Sequence, residues 1–152
     1  FVHVVEPATR KELLARMADR WEHDLASDGL TPESVRKRVE RGALLERCPE
    51  LVIPVLVLEG QHDYPDERRK TAERDMFVLS MGAAVQSFMV TAATLGLGTA
   101  WVSSTLFCPD DVRPVLDVPA QWHPMGAIAV GYALGDLTPR PSRDITEFLI
   151  QK

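Results

Sequence analysis

The sequence predicts one α+β domain, a sheet flanked by helices, on three observations. Residues 51–58, LVIPVLVL, form a continuous apolar run of strand length, and residues 126–130 form a second. Residues 82–104, GAAVQSFMVTAATLGLGTAWVSS, hold no charged side chain, although charged residues make up 26% of the chain. That stretch reads as a helix that stops at Gly96-Leu97-Gly98 and passes into a short strand ending in Ser103 and Ser104. With no polar face, the helix is expected to be buried on most sides. A chain of 152 residues with 45% hydrophobic content is enough for one domain with a core.

The elements follow in order. Residues 1–5, FVHVV, carry β-branched side chains at three of five positions and predict a strand. Thr9 and Glu12 make a capping-box pattern, and Leu13, Leu14, Met17, Trp21 and Leu25 follow at helical spacing. Ser27-Asp28-Gly29 ends that helix. Thr31-Pro32-Glu33 opens another, with a cap residue, a proline at the first helical position and an early acid. Its apolar positions are Val35, Val39, Leu44 and Leu45. Arg36, Lys37, Arg38 and Arg41 lie between them, but Glu33, Glu40 and Glu46 are interleaved at pairing distance, which marks a solvated face rather than a phosphate site.

Pro54 cannot donate to a ladder, so it places an edge or a bulge inside the 51–58 strand. Residues 60–65 are a polar loop, and residues 67–75 are a charged helical lead-in to the apolar helix. Pro109-Asp110-Asp111 starts a short helix reaching Leu116, residues 119–124 are loop, and residues 131–136 turn. The proline-containing tail ends in an apolar patch of Ile145, Phe148, Leu149 and Ile150. No repeat or low-complexity linker divides the chain.

Composition narrows the partners. A net charge of −5 and a pI near 5.4 argue against nucleic acid or an anionic membrane surface. The weakly polar run 81–102 is long enough to span a bilayer, but its Gly, Ala, Ser and Thr content favours a packed helix. Cys48 and Cys108 fit no metal or redox spacing and read as reduced thiols of a cytoplasmic protein. The chain opens inside a strand with neither an initiator Met nor a signal sequence, so it is expected to be a piece of something longer.

The motifs for common catalytic chemistries are missing. Gly96-Leu97-Gly98 lacks the third glycine of a dinucleotide fingerprint, Trp101 standing in its place, and here a helix precedes the glycines instead of a strand. Gly96 is better read as a helix C-cap, and Gly98 as a point of close backbone packing. Ser103-Ser104 lacks the flanking glycines of a nucleophile elbow. His3, His23, His62 and His123 show no ligand spacing, and a polar loop explains Glu59, His62 and Asp63 without a metal. Arg140 and Arg143 stand in a proline-rich tail, where arginines either clamp a phosphate or simply face solvent.

Taken in order, LVIPVLVL, GAAVQSFMVTAATLGLGTAW, VSSTLF, DDVRPVLDVP and MGAIAVGYALGD resemble the flavin-dependent nitroreductase family over residues 49–143. RKELLARMADRWEHDLASDGL and RVERGALLERCPELVIP extend the likeness forward, toward the reductase domains of coenzyme F-420 biosynthesis in actinobacteria. The resemblance implies a nitroreductase-like mixed sheet flanked by helices. It also implies a homodimer built on the apolar 81–95 helix, with Gln86 one of that helix's few polar side chains, and FMN at the subunit interface. The backbone of Val102, Ser103, Ser104 and Thr105 would lie along the flavin ring, and Arg140 or Arg143 near its phosphate. NAD(P)H or a reduced deazaflavin would be the electron partner, and the acceptor a small electron-poor molecule, such as a dehydro precursor of the deazaflavin coenzyme or a nitro or enone compound. No side chain need act as acid or base, because the flavin carries the chemistry. Family members place an arginine-rich phosphate-binding segment and a polar flavin-holding loop ahead of a strand like 1–5, and this sequence has neither. A non-catalytic flavin or deazaflavin binding module stays open beside the reductase.

Overall fold

The computed structural model describes residues 1–135 and 141–152. The elements in order are β1 (Val2–His3), α1 (Pro7–Ser27), α2 (Pro32–Val39), α3 (Ala43–Arg47), β2 (Glu50–Ile53), β3 (Val55–Leu56), α4 (Glu67–Thr94), β4 (Gly98–Val102), α5 (Pro109–Leu116), β5 (His123–Pro124) and β6 (Ala127–Gly131). The α+β expectation holds. One sheet has the order β1-β2-β6-β4 and a second pairs β3 with β5, every described pairing being antiparallel.

Strand alternation gives the main sheet two different faces. Leu51, Ile53, Ala127 and Ala129 point into a core shared with Leu13 and Met17 of α1 and Val112 of α5. The alternate residues Val52, Ile128 and Val130 meet Val85 of α4, with Met81, Phe88 and Met89 packed around them. The first face is thus closed by α1 and α5, and α4 is the one helix that covers the second among the described residues.

Several local expectations are corrected. α1 starts at Pro7 with Glu6 as its N-cap, so Thr9 lies inside the first turn and does not cap. Proline takes the first helical position because it has no N–H to leave unpaired and its φ is already helical. Glu12 instead pairs with Arg16 at 2.7 Å. The helix opened by Thr31 is interrupted by a 3-10 turn, Glu40–Gly42, before α3. Its charges do pair along the surface, Lys37 with Glu33 at 2.7 Å and Arg36 with Glu40 at 3.8 Å. The 51–58 strand breaks at the fully buried Pro54, whose carbonyl accepts the Met125 N–H at 2.8 Å as the chain crosses to the second sheet.

The largest correction concerns α4. It is one 28-residue helix from Glu67 to Thr94, capped by the Asp66 carboxylate accepting the Arg69 N–H at 3.0 Å. Its own chain does not bury it on most sides: Leu79 is 73% exposed, Met76 53% and Val90 52%. A helix resting on a single sheet face covers only one stripe, so the absence of charge along its 76–94 part marks a surface without a partner among the described residues. By length and composition alone it is also long enough to cross a bilayer. The helix closes as expected at Gly96, whose φ of +78 only glycine adopts freely. The Leu97 N–H bonds to Ala92 O and the Gly96 N–H to Ala93 O, both at 3.0 Å, a Schellman closure.

Candidate functional site

The segment from Val102 to Cys108 leaves the sheet beside α1. β4 ends at Val102, which pairs with Ala127, and the two serines expected at the strand's end instead begin a 3-10 helix, Ser103–Phe107. In an i→i+3 ladder whose N-cap is Val102, the first bond is donated by Thr105. The N–H groups of Ser103 and Ser104 therefore have no acceptor within the helix, and they carry its positive end. Ser104 Oγ is buried and has no hydrogen-bond partner among the described residues.

Val102, Ser103 and Ser104 line one cavity of about 470 Å³ on the α1 face of the sheet. Leu14, Met17 and Leu25 of α1 form its opposite wall, with Phe107 beside the serines. Its charged side chains are Arg20, Asp24, Asp28, Arg41 and Glu46, and Arg20 is already paired with Asp24 at 3.0 Å. Cys108 closes the inner end; burial pushes its thiol up to about 11, with the Asp111 charge adding to the shift.

Thr105 does not join the serines at this wall. It is fully buried, and its Oγ1 accepts the Gly126 N–H at 2.7 Å, which anchors the turn to the start of β6. Trp101, on the opposite face from Val102, donates Nε1–H to Met125 O at 3.1 Å. Arg143 lies on the exposed tail. Its guanidinium pairs with Glu147 at 2.6 Å and sits 4.3 Å from the centroid of the Phe148 ring. Arg140 falls outside the described residues.

Sequence reasoning missed the α1 contribution. Met17 and Leu25 were legible as a helical stripe, but a stripe does not say that part of it faces a cavity. The role of Arg10 also had no sequence signal: from α1 it donates to the carbonyls of Leu45 at 2.7 Å, Cys48 at 2.5 Å and Pro49 at 3.1 Å, tying the end of α3 in place. Among the described residues no group of three His, Cys, Asp or Glu side chains is placed to hold a metal ion.

Three solved structures show the same fold. The chain aligns over 98% of its length with a BluB-like flavoprotein from Clostridium difficile, at a TM-score of 0.72 and 18% identity, covering 77% of that chain. It aligns over 97% with the NfrA1 nitroreductase of B. subtilis, at 0.64 and 15% identity, covering 54% of that chain. With an NADPH:FMN oxidoreductase from Vibrio harveyi, solved with NAD+, the figures are 99%, 0.62 and 16%, covering 59%. The chain thus spans little more than half the length of two of these proteins. The family model described as Nitroreductase family matches residues 1–132, from β1 through the end of β6, and the chain belongs to that family.

Proposed function

We propose that this chain acts as an FMN-dependent oxidoreductase that passes hydride from reduced flavin to a small electron-poor acceptor. The observation that carries the reading is the pair of Ser103 and Ser104 N–H groups at the start of the 3-10 helix, rigidly placed at a sheet end. A flavin ring has a polar edge that grows more electron-rich on reduction, and fixed N–H donors at a helix start favour that state without reorganising. The orphaned Ser104 Oγ supplies a further unpaired polar atom on the same turn. When bound, FMN supplies the hydride chemistry. The chain's residues position its edge, and the Thr105–Gly126 bond holds the donors still.

The phosphate end fits less fully. Arg143 spends its guanidinium on Glu147 and Phe148, so holding a phosphate requires it to exchange Glu147 for the ligand. The exposed α4 face is read as the contact with a second copy, giving a homodimer with the flavin near the interface. The narrower acceptor, a dehydro precursor of the deazaflavin coenzyme, rests on the sequence likeness over residues 10–54 alone. NAD(P)H or a reduced deazaflavin is the reductant in these readings, in a cytoplasmic setting.

FMN and riboflavin titrations test the proposal. Tight FMN binding, flavin bleaching by NAD(P)H and turnover of a nitro or enone acceptor support it. Binding without turnover makes the chain a flavin-holding module, and no binding of either flavin refutes the site. Replacing Arg140 and Arg143 together with alanine weakens FMN more than riboflavin if either arginine meets the phosphate; equal losses exclude that role.

A further inference from the structure

The segment that carries Ser103 and Ser104 is fastened at both ends to one peptide unit. Trp101 Nε1–H donates to the Met125 carbonyl at 3.1 Å, and the Gly126 N–H donates to Thr105 Oγ1 at 2.7 Å. Those two groups are the C=O and the N–H of the same Met125–Gly126 peptide. In a trans peptide they point in opposite directions, so the unit is gripped from both sides at once. Neither grip belongs to the ladder, because β4 pairs with β6 only as far as Val102 and Ala127.

Strand alternation sends Val102 to the α1 face of the sheet and Trp101 to the α4 face, while Thr105 is fully buried. Glycine at 126 makes the grip possible: its φ is +124, and a Cβ there would run into Trp101 Nε1 and Val102 O. The unit is also held from behind, since the Met125 N–H donates to Pro54 O at 2.8 Å. Val102, Ser103 and Ser104 are thus strung between two side chains that share one fixed anchor. We propose that Trp101 and Thr105 form a two-ended bracket, which makes Trp101 a positioning residue for the flavin reaction. Together they hold the Ser103 and Ser104 N–H groups where these favour reduced over oxidised flavin. The inference rests on the proposed flavin reading. Donors that keep their place stabilise added electron density without reorganising, and donors on a loosened turn must be reordered first. Breaking either end therefore costs the reduced state more than the oxidised one. Because both ends act through one peptide, breaking the second adds little once the first is gone.

The test is the two-electron midpoint potential of bound FMN, with the Kd for oxidised FMN measured beside it. Trp101→Phe keeps a ring and removes the N–H, Thr105→Val keeps the shape and removes the acceptor, and Thr105→Ser keeps the hydroxyl. In each of the first two, reduced FMN is expected to lose about tenfold more affinity than oxidised FMN, a fall of about 30 mV. The double variant stays near that tenfold, where independent anchors would give about a hundredfold. Thr105→Ser keeps the parent potential. Val85→Ala opens the core on the α4 side, lowers the melting temperature and leaves the potential unchanged, which separates positioning from a general loss of stability. Trp101 is half-exposed, so Trp101→Phe folds even if Thr105→Val does not, and its potential then decides. The bracket is overturned, and the flavin reading spared, by any of four results. These are an unchanged potential in Trp101→Phe, full additivity in the double variant, a fall in Thr105→Ser equal to that in Thr105→Val, or an equal fall in Val85→Ala. A parent protein that takes up no FMN overturns both.

Discussion

Thr105 Oγ1 accepts the backbone N–H of Gly126 at 2.7 Å, and both residues are buried. The bond joins the turn that carries Ser103 and Ser104 to the residue immediately before β6. It is a side-chain substitute for a ladder bond at the point where the β4–β6 pairing ends at Val102 and Ala127. A buried N–H at this corner has no water to fall back on, so the hydroxyl is what allows the chain to turn here.

Thr105→Val keeps the shape and removes the acceptor. The Gly126 N–H is then left unpaired, and stability falls by about 1–3 kcal/mol. Thr105→Ser retains most of it. Urea unfolding of the two variants checks this, and equal stability of Val and Thr at this position would show that the bond contributes nothing.

Glycine is required at 126 more than at 98. A Cβ on Gly126 would lie 2.2 Å from Trp101 Nε1 and 2.9 Å from Val102 O, at a φ of +124. A Cβ on Gly98 meets Gly131 O at 3.4 Å, an ordinary contact, so Gly98 is not the tightest point in the sheet. Gly126→Ala is therefore expected to lose several kcal/mol or fail to fold, and Gly98→Ala about 1 kcal/mol or less. Gly98→Val costs more, because its methyls press toward the Gly131 carbonyl. Melting temperatures of the three variants, compared with the parent, decide the order.

Elements whose cause is local were legible in the sequence. The glycine closure at Gly96, the Thr31-Pro32 helix start and the 109–116 helix all follow from caps and prolines, and each stands where those residues put it. The capping-box reading of Thr9 failed locally, because Pro7 is itself a first-position signal and starts the helix two residues earlier. The other failures depended on partners far along the chain. The break at Pro54 was visible, but not its result, because the Met125 N–H that donates to the Pro54 carbonyl lies 71 residues later. The uncharged α4 stretch was read as buried, but a lack of charge does not say which side of a helix its own chain covers. The strand before the serines was legible, but not that it ends at Val102 with the serines opening a 3-10 helix, and the α1 wall facing them had no signature beyond an ordinary helical stripe.

The exposed α4 surface leads to a prediction about assembly. Leu79 and Val90 leave much of their apolar surface in water in one chain, and covering them in a second copy removes that cost. Leu79→Glu with Val90→Glu is expected to convert a dimer to a monomer by light scattering after size exclusion. The main core is untouched by either change. A parent protein that is monomeric at all concentrations would sink the dimer reading.

Cys108 sets a pH limit on stability. Its thiol is only 5% exposed, and its pKa is raised from 9.0 to about 11 by burial, with Asp111 adding to the rise. Between those values the unfolded chain releases a proton that the folded chain keeps, so stability is flat below about pH 9 and falls as pH rises toward 11. The expected loss from pH 8.5 to 10.5 is about 1–2 kcal/mol, allowing for partial screening. Cys108→Ala removes that part of the pH slope, although it leaves a small cavity at every pH. Iodoacetamide at pH 8 offers an independent reading, since the thiolate is the reacting form. The half-buried Cys48 should label first, and Cys108 only as the protein unfolds. Equal labelling rates in the folded protein, or an unchanged pH slope in Cys108→Ala, would mean that Cys108 is not held as a buried neutral thiol.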